Sequence, residues 1–175
     1  SKLLNLHGSP VWAVGGFRGV VSKIDALYAT AGWVTAHELK RFFEVADLVL
    51  SERDPSLDLP EEDRWAAHIY DKTRDVSASL RDGIADSLAL LSVHGKALFY
   101  GRTGVDPEQL CSKVVKGLLD PLDPDKLESQ SSDLPVYAEA APEAFLSIIE
   151  KDLKREEPVV FSLVRPVDGT LFSRN

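Results

Sequence analysis

The sequence predicts an all-α fold of short antiparallel helices, either an α-solenoid of HEAT or armadillo type or an irregular helical bundle. Three observations lead there. Apolar residues recur at i, i+3, i+4 and i+7 in most windows, and start signals of the Thr-x-x-Glu and Asp-Pro kind precede those windows. A single run, Val159-Val160-Phe161-Ser162-Leu163-Val164, fits a strand as well as a buried helix, and we read it as helix. The short connections favour stacked pairs and hence the solenoid, although no exact internal repeat accompanies them.

Taken in order, the first thirty or so residues are the least regular. Ser9-Pro10, Gly15-Gly16 and Gly19 interrupt any period, so Val11, Trp12, Val14, Phe17, Val20 and Val21 are expected in an extended or turn segment packed on the core, with Trp12 and Phe17 folded back onto the first helix. Ser22 caps a helix over 23–31 whose stripe is Ile24, Leu27, Tyr28 and Ala31, and Gly32 ends it. Thr35-Ala36-His37-Glu38 is a capping box, followed by Leu39, Phe42, Phe43, Ala46, Val49 and Leu50 at helical spacing to about Ser51. Pro60 and the acids Glu61, Glu62 and Asp63 suit a first helical turn. The apolar face of that third helix is Trp65, Ala66, Ile69 and Tyr70, with Trp65 and Phe42 expected in the core on neighbouring helices.

A long helix is predicted over 77–94 with Leu80, Ile84, Leu88 and Leu91 on one side, ending at His94-Gly95 before a loop containing Gly101 and Gly104. Asp106-Pro107 and Asp123-Pro124 each open a further helix, the first carrying Leu110, Val114, Val115, Leu118 and Leu119. Asp133 is expected to cap Leu134–Ala140, and Pro142 precedes a helix through Ala144, Phe145, Ile148, Ile149, Asp152 and Leu153 that stops before Pro158.

The 175 residues, 44% hydrophobic and 27% charged, suit a single globular domain over 1–175 that folds without disulfides, since there is one cysteine. With no Met, a start at Ser1 and a last turn at Arg165-Pro166-Val167-Asp168-Gly169-Thr170-Leu171-Phe172, the chain reads as a piece cut from a longer protein. Its net charge of −8 argues against sequence-independent nucleic-acid binding, which needs clustered Lys and Arg. No apolar run approaches the roughly 20 residues that span a bilayer, and no signal peptide is visible, so a cytoplasmic location and no membrane are expected.

Candidate chemistry is sparse. His7, His37, His68 and His94 lack metal-ligand spacing, and Cys111 sits among Leu110 and Val114 where a thiol behaves as a small hydrophobe, so no metal and no cofactor are expected. Gly15-Gly16-Phe17-Arg18-Gly19 lacks the Gly-Lys-Ser/Thr end of a phosphate loop. No Gly-x-Ser-x-Gly elbow surrounds Ser22 or the run Ser129-Gln130-Ser131-Ser132. No catalytic residue is assigned.

Charge is the one uneven feature. Residues 38–63 hold nine acids against three bases, a net −6. This marks Glu52, Asp54, Asp58, Glu61, Glu62 and Asp63 as the candidate partner-binding residues, for a basic protein or other domains of the parent chain. Calcium would want alternating oxygens around a central Gly, and Asp54-Pro55-Ser56-Leu57-Asp58 breaks that pattern. Trp33, Phe42, Phe43 and Trp65 straddle the window and are expected in the core, although an exposed Trp beside an acidic rim would make an interface anchor.

Three stretches carry a family resemblance: Val21-Ser22-Lys23-Ile24-Asp25-Ala26-Leu27-Tyr28-Ala29, Arg64-Trp65-Ala66-Ala67-His68-Ile69-Tyr70-Asp71-Lys72, and residues 131–146 around Leu134-Pro135-Val136-Tyr137. Together they resemble helical segments of very large bacterial multidomain proteins, some of which resemble nucleotide-hydrolysing defence or signalling systems. The resemblance implies a helical piece of such a protein and transfers no active-site residue. The function expected is a non-catalytic scaffold or protein-interaction domain. The alternative is a small helical enzyme whose acid–base groups come from Glu61, Glu62, Asp63 and His68, which requires a buried carboxylate with a raised pKa.

Overall fold

The computed structural model describes residues 2–5 and 7–164. The turn read at residues 165–172 lies outside that range. The described residues are mostly helical, with one two-stranded sheet. A 3-10 turn at Lys2–Asn5 leads to β1 (Val11–Val14) and β2 (Phe17–Val20), and α1 (Lys23–Ala31) and α2 (Ala36–Leu50) follow. Two 3-10 segments, Pro55–Asp58 and Glu61–Tyr70, connect to α3 (Ala78–Gly95), which continues through a π-helical turn at Lys96–Tyr100 into α4 (Gly101–Thr103). Then come α5 (Pro107–Leu119), α6 (Pro124–Ser129), α7 (Leu134–Ala140), α8 (Pro142–Leu153) and a 3-10 segment at Val159–Val164.

The local start signals work as the chemistry requires. Asp25 N–H donates to Ser22 Oγ at 3.2 Å. Thr35 and Glu38 complete the capping box, with Thr35 N–H donating to Glu38 Oε2 at 2.7 Å and Glu38 N–H to Thr35 Oγ1 at 3.3 Å. Asp106 and Asp123 accept amides of the first turns of α5 and α6, and a proline occupies the first position of α5, α6 and α8, where its missing N–H leaves nothing unpaired.

The core lies where α2, α3, α5 and α7 meet, and its most enclosed apolar side chains include Leu50, Leu88, Val115, Leu119 and Leu127. Besides its chain neighbours, α3 packs on α7, and α5 packs on α2 and α8.

Several expectations are corrected. The chain does not leave the helix at His94-Gly95, because Gly95 and Gly101 both take right-handed helical angles; the stop is Gly104, at φ +68. On α3 the buried stripe runs through Arg81, Ile84, Ala85, Leu88 and Leu91, while Leu80 is exposed. Asp133 makes no side-chain cap; it is buried and pairs with Arg81. The run at Val159–Val164 is helical but of the 3-10 kind, tied to α8 by Val160 N–H donating to the buried Asp152 Oδ2 at 2.9 Å.

The first segment is a β-hairpin rather than a strand laid on the core. Gly15, at φ +58, occupies the first turn position, where primed hairpin turns need a glycine. Phe17 is 77% exposed, so it is not folded back onto α1. Among the aromatics expected inside, Phe43 is buried and Phe42 half-buried, their rings edge to face at 5.4 Å, whereas Trp33 and Trp65 are exposed.

Candidate functional site

The acidic stretch after α2 is drawn into two short 3-10 segments, and the structure divides its six candidate residues into two groups. Glu52, Asp54 and Asp58 are tied into the chain. Glu52 Oε1 accepts the Asp75 N–H at 2.6 Å, linking the end of α2 to the approach of α3. Asp54 Oδ1 accepts the Ser56 N–H at 2.9 Å, and Oδ2 lies 3.5 Å from Arg74. Burial works to raise the Asp54 pKa, but the hydrogen bonds from Ser56 and the charges of Arg74 and Arg81 outweigh it and hold the carboxyl below its usual range. Asp58 receives Lys72 at 2.9 Å and Arg53 at 2.7 Å, and these bonds also lower its pKa. Arg53 in turn grips Asp125 with both Nε and Nη2, at 2.7 and 2.8 Å, so the loop is clipped to α6.

Glu61, Glu62 and Asp63 form the second group, on the first turn of the 3-10 segment Glu61–Tyr70. Glu61 and Glu62 are exposed and Asp63 is half-buried. Among the described residues none of the three has a cationic partner within ion-pair distance. The neighbouring base, Arg64, is engaged by Glu128 and by the Leu59 carbonyl at 3.2 Å.

Beside them the aromatic stripe expected in the core faces outward. Trp65 is 80% exposed, Ile69 68% and Tyr70 52%, and only Ala66 of that stripe is buried. The reason is geometric. A 3-10 helix has roughly three residues per turn, so side chains spaced for 3.6 do not gather on one face. Ala66 also departs from helical angles at φ −103, ψ 18, kinking the segment before it ends in the left-handed Asp71 at φ 54. The segment thus exposes three large apolar side chains along with Glu61 and Glu62. His68, also exposed, completes the group named for the enzymatic alternative, and the segment leaves Glu61, Glu62 and His68 open to water rather than enclosing a carboxylate.

Two features escaped the sequence reading. The first is a buried polar hub. Arg81, 3% exposed, donates from Nε to Asp133 at 2.6 Å, from Nη1 to the Val49 carbonyl at 3.0 Å, and from Nη2 to the Leu50 carbonyl at 3.1 Å and to Gln130 Oε1. Gln130 Nε2 also donates to the Leu50 carbonyl at 2.8 Å, and the Tyr137 hydroxyl to Gln130 Oε1 at 2.9 Å. This hub satisfies the orphan carbonyls at the end of α2 and locks α2, α3 and α7 together. Its sequence signal was an arginine in the apolar register of α3.

The second is a groove of about 830 Å³ between α2 and α5, floored by Phe43, Val105 and Val114 and rimmed by Lys40, Asp47 and Lys113. Its rim mixes both signs of charge. Cys111, on the buried side of α5, donates to the Leu88 carbonyl at 3.3 Å, and burial pushes its thiol up to about 12, so it is inert at neutral pH. Among the described residues no helix is long and apolar enough to cross a membrane, and no three His, Cys, Asp or Glu side chains are grouped to hold a metal.

Comparison of the chain with family models, with curated proteins and with solved structures finds no match.

Proposed function

We propose that this chain is a non-catalytic protein-interaction domain, and that its principal docking surface is the segment Glu61–Tyr70, which takes a basic protein partner with an apolar stripe. The observation that carries this reading is Trp65, 80% exposed on a segment that also exposes Ile69, Tyr70, Glu61 and Glu62. Exposed aromatics flanked by charge are the composition of an interface hot spot with a polar rim. The acids repel phosphates and attract Lys and Arg, so they speed encounter while Trp65 supplies residence time. Glu52, Asp54 and Asp58 then act as struts that hold the segment in place. The packing of α3 on α7 and of α5 on α8 supports an irregular bundle over a repeat stack.

The test uses amphipathic peptides of alternating composition, one Lys/Leu and one Glu/Leu, with association and dissociation followed at two ionic strengths. The Lys/Leu peptide should bind and the Glu/Leu peptide should not. Trp65→Ala should raise Kd at least about 30-fold, the equivalent of a 2 kcal/mol hot spot. Neutralising Glu61, Glu62 and Asp63 together should slow association and flatten its salt dependence. Equal binding of both peptides, or on-rates unmoved by the triple change, would overturn the reading.

A further inference from the structure

The first thirty-three residues share little apolar surface with the helical body. Among residues 3–5 and 7–33 only Pro10 and Ala31 are buried, whereas α2 alone buries five residues and α5 six. Leu27 and Ala31 are the apolar side chains of this stretch that pack on the core. The stretch is nevertheless joined within itself. The 3-10 turn Lys2–Asn5 packs on β1 and on α1, and the Val21 N–H donates to the Pro10 carbonyl at 2.7 Å, tying the base of the hairpin to the start of α1.

Its attachment to the body is a row of polar contacts along α1, which packs on the body chiefly at the π-helical turn Lys96–Tyr100. At the start of α1, Lys23 pairs with Asp86 of α3, their side chains 60% and 39% exposed. Midway, the Tyr28 hydroxyl stands 3.3 Å from His94 Nδ1, with the two rings edge to face at 5.7 Å. At the end of α1, Arg102 of α4 donates from Nη2 to the Ala31 carbonyl at 2.7 Å and to the Val34 carbonyl at 2.5 Å. Those two carbonyls flank Gly32-Trp33, so one guanidinium fixes both ends of the link between α1 and α2. Exposed polar contacts stabilise far less than apolar burial does. The stretch therefore separates at a lower cost than the helices of the core.

We propose that residues 2–33, comprising the first turn, the hairpin and α1, form a detachable arm that swings from the helical body as one unit about the link at 32–34, with Arg102 as its latch. Release uncovers Leu27, Ala31 and the part of the core they touch, and it frees Asp86, His94 and Arg102 on the body. The arm shares no residue with the docking segment Glu61–Tyr70.

Hydrogen exchange of the whole chain, followed by NMR over a low-denaturant series, tests this. The amides of α1 and the Val21 amide should share one opening with one denaturant slope, and their protection should be at least about 100-fold below that of α5. Arg102→Met should speed exchange in α1 about tenfold or more and leave α5 unchanged, because it removes two hydrogen bonds from a charged donor. Lys23→Met, at the other end of α1, should speed α1 by about two- to fivefold. That second variant reads the arm alone should Arg102→Met alter the circular dichroism spectrum. Protection of α1 equal to that of α5, separate slopes for α1 and Val21, or a latch variant that speeds both helices or neither would overturn the proposal.

Discussion

Leu88 and Trp65 were both read as core residues on the apolar stripes of helices, yet Leu88 is fully enclosed and Trp65 is 80% exposed. The difference lies in what faces them. Leu88 belongs to α3, which packs on α2, α5 and α7, so any apolar stripe on it meets another. Trp65 belongs to a 3-10 segment whose chief packing partner is the short turn Pro55–Asp58, and one turn of backbone cannot cover an indole. Apolar periodicity states what a helix offers, and burial depends on whether a second surface of adequate size arrives. The hairpin repeats the lesson, for Phe17 and Val14 pair with each other and remain in water.

The sharpest way to break this comparison is to strike the helical body at its polar hub. Arg81→Met should cost about 3–5 kcal/mol, because it strands the buried Asp133 carboxylate and strips partners from the Val49 and Leu50 carbonyls. Urea denaturation at pH 7 measures it. A loss below about 1 kcal/mol would show that the hub is wetter than its burial indicates, and the contrast between body and surface would weaken.

Next in size is the direct pair. Leu88→Ala should cost about 2–5 kcal/mol, whereas Trp65→Ala should stay within about 0.5 kcal/mol, as exposed substitutions do. Equal losses would mean that Trp65 is covered after all, by this chain or by a second copy. Running the melts at two protein concentrations separates those cases, since only burial in an oligomer makes the Trp65→Ala effect concentration-dependent.

Much of the helical body was legible because its signals are local. Thr35 with Glu38, Asp106-Pro107 and Asp123-Pro124 act within one turn, and their helices begin where those residues stand. Less legible was anything decided at long range. Asp133 resembles a cap in sequence, but Arg81, 52 positions away, claims it. The α-helical part of α3 ends at Gly95 as its sequence signals, but glycine permits a stop without enforcing one, and the chain stays helical through Gly95 and Gly101 to Gly104. The acidic window was visible as a count of charges; its partition was not, since Arg53, Lys72 and Arg74 reach Asp54 and Asp58 only once the chain has folded. The groove between α2 and α5 had no sequence signal, as its walls come from separate helices.

That partition has a pH signature, the smallest effect foreseen. Asp58 is held below its ordinary 3.8 by the hydrogen bonds of Lys72 and then Arg53, and Asp125 is lowered by Arg53. A carboxyl whose folded pKa is depressed contributes stability that is fully present above its unfolded value and is lost as pH falls through the folded one. Melting temperature should therefore be insensitive to these groups from pH 7 down to about 5 and should decline below about pH 4. Both aspartates are exposed, so the decline should be shallow and should shrink further in high salt. Asp58→Asn should lower the melting temperature slightly at pH 7 and flatten the acid limb, because the variant has one fewer proton to take up on unfolding. If Asp58→Asn left the limb unchanged, Asp58 would not be a strut but a sixth of the docking rim, and the division between tied and free carboxylates would give way to a single acidic surface open to a partner.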